Sequence, residues 1–99
     1  MRSSNRRPGR PCLLTPERAD AIVRASAVGA NTVLAAEAAG VSRATLARWL
    51  ELGSAAAEGR EDGQPADPRE DVFVDLYRRV ESARAQMATR ALARVLQAG

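Results

Sequence analysis

The sequence predicts an all-α protein: a three-helix unit with a helix-turn-helix corner, a basic N-terminal arm before it and a long C-terminal helix after it. Three observations predict this. Apolar residues recur at steps of three and four through most of the 99 residues. Helix-starting signals stand at Thr15-Pro16, Asn31, Ser42 and Asp67-Pro68. The stretch "AAEAAGVSRATLARWL", residues 35–50, sets Gly40 and Ser42 inside the best helix-forming run of the chain. A glycine within a helix costs about 1 kcal/mol relative to alanine, so Gly40 marks a corner.

Residues 1–14 begin "MRSSNRRPGRP" and show no periodicity, which predicts a flexible arm. Thr15 is a good N-cap, Pro16 suits the first helical position, and Glu17 favours the first turn. Ala19, Ile22 and Val23 supply the buried stripe of this first helix, and Gly29 is its stop. Asn31 caps a second helix from Thr32 to about Ala39, and Gly40 takes the left-handed position that ends it. Val41 turns inward at the corner. Ser42 caps a third helix from Arg43 to about Leu52, with Gly53 as its stop.

The three-helix unit thus spans residues 15–53. Residues 54–67, rich in glycine, alanine and acids, predict an acidic linker. A fourth helix over residues 68–97 starts with an Asp67 cap, Pro68 at its first position and Glu70 placed as in a capping box. Val72, Leu76, Val80, Ala83, Met87, Ala91 and Val95 form one apolar stripe along it, widened by Phe73, Tyr77 and Leu92. Such a stripe needs a partner surface. The expected partner is another copy of the chain, met through Val72, Phe73, Leu76, Val80, Met87, Ala91 and Val95; the alternative is a fold-back onto the first and third helices.

Charge is distributed unevenly. Residues 1–12 carry four arginines and no acid, residues 15–53 balance four against four, residues 54–71 hold six acids against two arginines, and residues 72–99 hold five arginines against two acids. All 15 basic residues are arginine. A basic arm beside a neutral helical unit suggests contact with nucleic acid. An enzyme finds little support. Histidine and lysine are missing for acid–base work, no glycine-rich phosphate loop occurs, and the carboxylates gather in the linker. Cys12 is a single thiol without histidine, so neither a metal site nor any other cofactor is expected. No apolar run reaches the ~18 residues of a membrane helix, and the N-terminus lacks the apolar core of a secretory signal. The chain ends at "QAG" without a clear cap, compatible with continuation into a longer protein.

Around the corner, Ala36 is small enough for the two helices to approach, and Val41, Leu46 and Trp49 face the core. That leaves Ser42, Arg43, Ala44, Thr45 and Arg48 on the outer side or its flank, where the first turns of such a helix meet base edges in the major groove. Arg43 and Arg48 are the candidates for guanine, whose O6 and N7 match the guanidinium fork; either could instead contact phosphate. Ser42 caps the helix, and its N–H could hold a phosphate. In the arm, Arg6, Arg7, Gly9 and Arg10 precede the helices in the order "RRPGRP". Flanking prolines keep the backbone extended, so Arg10 suits insertion into a narrow A·T-rich minor groove.

With those residues in view, "GRPCLLTPERADAIVRASAVGANTVLAAEAAGVSRATLARWL" resembles the DNA-binding domain of Hin-type invertases and resolvases, with its Gly-Arg-Pro arm and three helices. Most of the chain also resembles small helix-turn-helix proteins of bacteriophage type, including small terminase subunits; Phe73 to Ala85 carries the last part of that likeness. The resemblance implies a homeodomain-like unit that binds double-stranded DNA as a homo-oligomer in the cytoplasm of a bacterium or a phage-infected cell. A transcriptional regulator is the expected role. The alternatives are the DNA-recognition subunit of a packaging terminase and an architectural DNA-binding protein. No recombinase catalytic region is present, so recombination is not implied.

Overall fold

The computed structural model of the protein describes residues 13–98. It is all-helical, with four helices: α1 (Pro16–Ala27), α2 (Thr32–Ala39), α3 (Arg43–Glu61) and α4 (Asp71–Ala98), the last preceded by a 3-10 turn at Pro68–Glu70. The local starting signals operate where the sequence puts them. The Thr15 hydroxyl accepts from the Arg18 N–H, the Asn31 side-chain oxygen Oδ1 from the Leu34 N–H and the Ser42 hydroxyl from the Thr45 N–H. Each satisfies one of the donors that a helix N-terminus leaves without an internal partner.

Four expectations need correction. Residue 14 does not belong to the arm: Leu14 is buried in the core beside Ala19 and Ile22. Gly53 does not stop α3, and residues 54–61 are not linker, because α3 continues unbroken through them. Ser54 to Glu61 includes three alanines and is held on α4, and tertiary packing of this kind overrides a glycine's low propensity. The helix ends at Glu61 with Asp62 as its cap, and the glycine that follows is Gly63, in the left-handed conformation at φ +91°. At the start of α4, no capping box forms among the described residues. The Asp67 carboxylate instead accepts from the Arg69 N–H and guanidinium, which lower its pKa from the ordinary aspartate value.

The fourth correction concerns the stripe on α4. The helix folds back across α1 and α3, so Leu76 and Val80 enter a shared core with Ile22, Ala36, Leu46 and Trp49. Phe73 packs against the same core, and Met87 is half-buried. Both Leu76 and Val80 are unavailable to a second copy of the folded chain. The core is small and mainly aliphatic, and each fully buried Ile, Leu or Val contributes roughly 1.5–3 kcal/mol. With so few such residues, sealing α4 onto the three-helix unit adds a large share of the total.

Helix directions follow from named contacts. Arg79 reaches Asp20 of α1 and Arg90 donates to the Ala27 carbonyl, so α1 and α4 run parallel. Arg60 near the end of α3 bonds Asp71 at the start of α4, and Gly53 meets Phe73 and Tyr77, so α3 and α4 run antiparallel. α2 packs on α1 and α3 but makes no contact with α4. α4 therefore covers the side of α1 and α3 that α2 leaves open.

Candidate nucleic-acid interface

The corner between α2 and α3 is built from backbone chemistry. Gly40 has φ +75° and ψ 29°. The Val41 N–H reaches back to the Ala36 carbonyl at 3.0 Å and the Gly40 N–H to the Glu37 carbonyl at 3.1 Å. This double closure satisfies the last carbonyls of α2 and turns the chain sharply. Space around Gly40 is open, since a Cβ built there would meet nothing within 4 Å. The left-handed backbone, rather than crowding, accounts for the glycine.

Beyond the corner, the Ser42 hydroxyl lies 3.1 Å from the Thr45 N–H and donates to the Thr45 hydroxyl at 2.9 Å. Two side chains at the start of α3 are thereby held in place by each other. Inward, α3 presents Leu46, Trp49, Gly53 and Ala57, all buried, at steps of three and four. Trp49 is 6% exposed, and Ala36 and Leu46 are essentially sealed. Val41 packs against this cluster from the turn. A helix anchored along that stripe has to turn Ala44 and Arg48 outward. Ser42, Arg43, Ala44 and Arg48 are exposed and Thr45 is half-buried, so the structure gathers these five candidates at one end of one helix.

The arginines divide into two groups. Arg60, Arg69 and Arg79 are ion-paired, with Asp71 at 2.7 Å, Asp67 at 2.9 Å and Asp20 at 2.8 Å respectively. Those pairs belong to the α3–α4 turn and the first half of α4. The Asp20 carboxylate holds the Arg79 guanidinium above its ordinary pKa. The other eight, Arg18, Arg24, Arg43, Arg48, Arg78, Arg84, Arg90 and Arg94, make no ion pair among the described residues, although Arg18 and Arg90 each donate to a backbone carbonyl. Guanidiniums without an internal carboxylate are the ones able to neutralise an external anion. Because α3 is a single rod of ~28 Å, the acids from Glu58 to Asp71 sit at the end remote from Arg43.

Arg6, Arg7, Gly9 and Arg10 lie outside the described residues. Among the remaining oligomer candidates, Val72, Ala91 and Val95 are exposed. Leu96, at 72% exposed, was missed by the stripe because Ala88, Leu92 and Leu96 form a second line on α4 at strict steps of four. Among the described residues no cluster of His, Cys, Asp or Glu could hold a metal ion, and no helix is long and apolar enough to cross a membrane. No protein-family model, curated protein or solved structure matches this chain.

Proposed function

We propose that the protein binds double-stranded DNA sequence-specifically through a homeodomain-like helix-turn-helix formed by α1, α2 and the first three turns of α3. In this reading α3 enters the major groove with Arg43 and Arg48 toward base edges. Ser42 and Thr45 meet the phosphate backbone, and Ala44 leaves room for close approach. Arg10, supported by Arg6, Arg7 and Gly9, follows the adjacent minor groove. The role that fits such a module is a prokaryotic or phage transcriptional regulator.

The observation that carries the reading is the corner itself. Buried Ala36, Leu46 and Trp49, with the partly buried Val41 packed against them, hold the angle between two short-looped helices, while the exposed side of the second helix bears two arginines with no ion pair among the described residues. An ordinary helical hairpin has no need of unpaired arginines there. α4 supports the reading by packing on the side away from α2, which leaves the α2–α3 face uncovered. Self-association, the other part of the reading, falls to the exposed last turns of α4, since Leu76 and Val80 are buried within one chain.

The test is selection of binding sites from a random DNA pool by the full chain, followed by affinity measurement at fixed salt. A selected motif bound ~10³-fold or more above random DNA supports sequence-specific recognition. Equal affinity for all sequences would reduce the protein to a nonspecific binder.

A further inference from the structure

The exposed side of α3 changes charge along its length. Ala44, Arg48, Glu51, Ala55 and Glu58 follow one another at steps of three and four, and all five are exposed. They lie opposite the buried line of Leu46, Trp49, Gly53 and Ala57 that fixes the helix to the rest of the fold. Around the helix axis Glu51 stands ~20° from Ala44 and ~60° from Arg48. A carboxylate therefore shares the face that turns Arg48 outward. Had α3 ended at Gly53, Glu58 would not belong to that face; the unbroken helix sets both acids on one rod.

Neither Glu51 nor Glu58 makes an ion pair among the described residues. Arg48 precedes Glu51 by three positions, a spacing at which opposite charges pair on a helix, yet the two side chains are not joined. An acid on the outside of a helix is ordinarily a solvated residue. On a face turned toward a polyanion it has a consequence, because it weakens binding to every sequence unless a hydrogen-bond donor meets it. The rise from Arg43 to Glu51 is ~12 Å, equal to the ~12 Å width of the major groove. Glu51 is thus the last residue of the face that a helix crossing the groove still holds beside base edges. Glu58 lies ~10 Å beyond it.

We infer that Glu51 is a specificity-determining residue that accepts a hydrogen bond from the N4 amine of a cytosine in the major groove, a role that rests on the DNA-binding reading above. The chemistry of the base edges selects cytosine. An ionised carboxylate only accepts. Guanine N7 and O6 and thymine O4 are acceptors too, so they repel it. Donors stand on cytosine and adenine alone, and adenine sets its amine beside the N7 acceptor. Cytosine offers its amine without such a neighbour. Glu51 therefore lowers affinity for sequences with guanine or thymine at that position and spares those with cytosine.

Site selection from a random DNA pool by the full chain and by its Glu51→Ala, Glu51→Gln and Glu58→Gln variants tests it. Both positions are exposed, so the variants keep the helical circular dichroism of the parent. Should Glu51→Ala lose helix, Glu51→Gln carries the test by itself. The parent is expected to select cytosine at one position near that relaxed by Arg48→Ala. Glu51→Ala loses ~10-fold or more of that discrimination and binds random DNA more tightly than the parent. Glu51→Gln, whose amide both donates and accepts, moves the preference to adenine. Glu58→Gln removes the same charge outside the groove, so it tightens binding to all sequences alike and leaves the motif unchanged. If Glu51→Ala keeps the parent motif, or merely repeats the behaviour of Glu58→Gln, the role of Glu51 is wrong while the DNA-binding reading stands. A parent that selects no motif overturns sequence-specific recognition itself, and the role of Glu51 with it.

Discussion

The backbone carbonyl of Phe73 occupies the space where a side chain on Gly53 would begin, with Tyr77 Cβ only 2.7 Å from the same point. Gly53 is thus the notch through which α3 and α4 cross. Adding one methyl there has to push two helix backbones apart. Gly53→Ala is expected to destabilise the fold by about 1–3 kcal/mol despite alanine's better helix propensity, since overpacking outweighs that gain. Gly40→Ala costs a comparable ~1–2 kcal/mol for a different reason, the left-handed backbone alone. Urea denaturation of the two variants checks both; a stabilised Gly53→Ala chain would contradict the crossing.

Trp49 provides a probe of the unit that holds the corner. Its ring is buried, so Trp49→Ala should cost ~3–5 kcal/mol, the usual range for a large core aromatic. In the parent, acrylamide should quench its fluorescence weakly until the chain unfolds. Strong quenching in the folded state would place the ring outside the core.

The buried part of the α4 stripe leads to a stability effect rather than an assembly effect. Leu76→Ala should lower unfolding free energy by ~2–5 kcal/mol, and Val80→Asp, which buries an unpaired charge, should leave little folded protein. Thermal unfolding followed at 222 nm reads both. A folded, monomeric Val80→Asp chain would instead indicate that this face had been covered by a partner.

For recognition, Arg43→Ala and Arg48→Ala are each expected to weaken binding to the selected site by ~1–3 kcal/mol where the contact is bidentate to guanine, with relaxed preference at one base pair. A phosphate contact would behave differently, weakening all sequences equally and lowering the salt dependence. Neither side chain is buried, so the stability of both variants should match the parent. Unchanged affinity in both would remove α3 from the interface.

The arm is tested by deleting residues 1–11, which leaves Leu14 in place to finish the core. The deletion should lower affinity and erase an A·T preference at one edge of the site, because a narrow A·T minor groove concentrates negative potential on an inserted arginine. Comparison of A·T-flanked and G·C-flanked sites measures this. Equal losses on both flanks would make the arm a nonspecific tether.

The features legible in the sequence are those decided within a few residues. The caps at Thr15, Asn31 and Ser42 depend on a side chain reaching an N–H three positions ahead, and the turn at Gly40 on carbonyls three and five positions behind. Such contacts form whatever the rest of the chain does, so spacing alone reveals them. The inward set of Ala36, Leu46 and Trp49 was legible for the same reason, since helical periodicity assigns faces. Gly53 and the α4 stripe belong to another class. A glycine after a helical run is a stop when nothing faces it and a notch when a backbone crosses it, and Phe73 lies twenty residues away. Likewise an apolar stripe demands burial without naming its partner. Only the fold-back of α4 between α1 and α3 decided that Leu76 and Val80 meet Ile22 and Trp49, leaving Leu92, Val95 and Leu96 outside. Local hydrogen bonds are written in short windows of sequence; the choice among distant apolar surfaces depends on which of them pack together with the least space left empty.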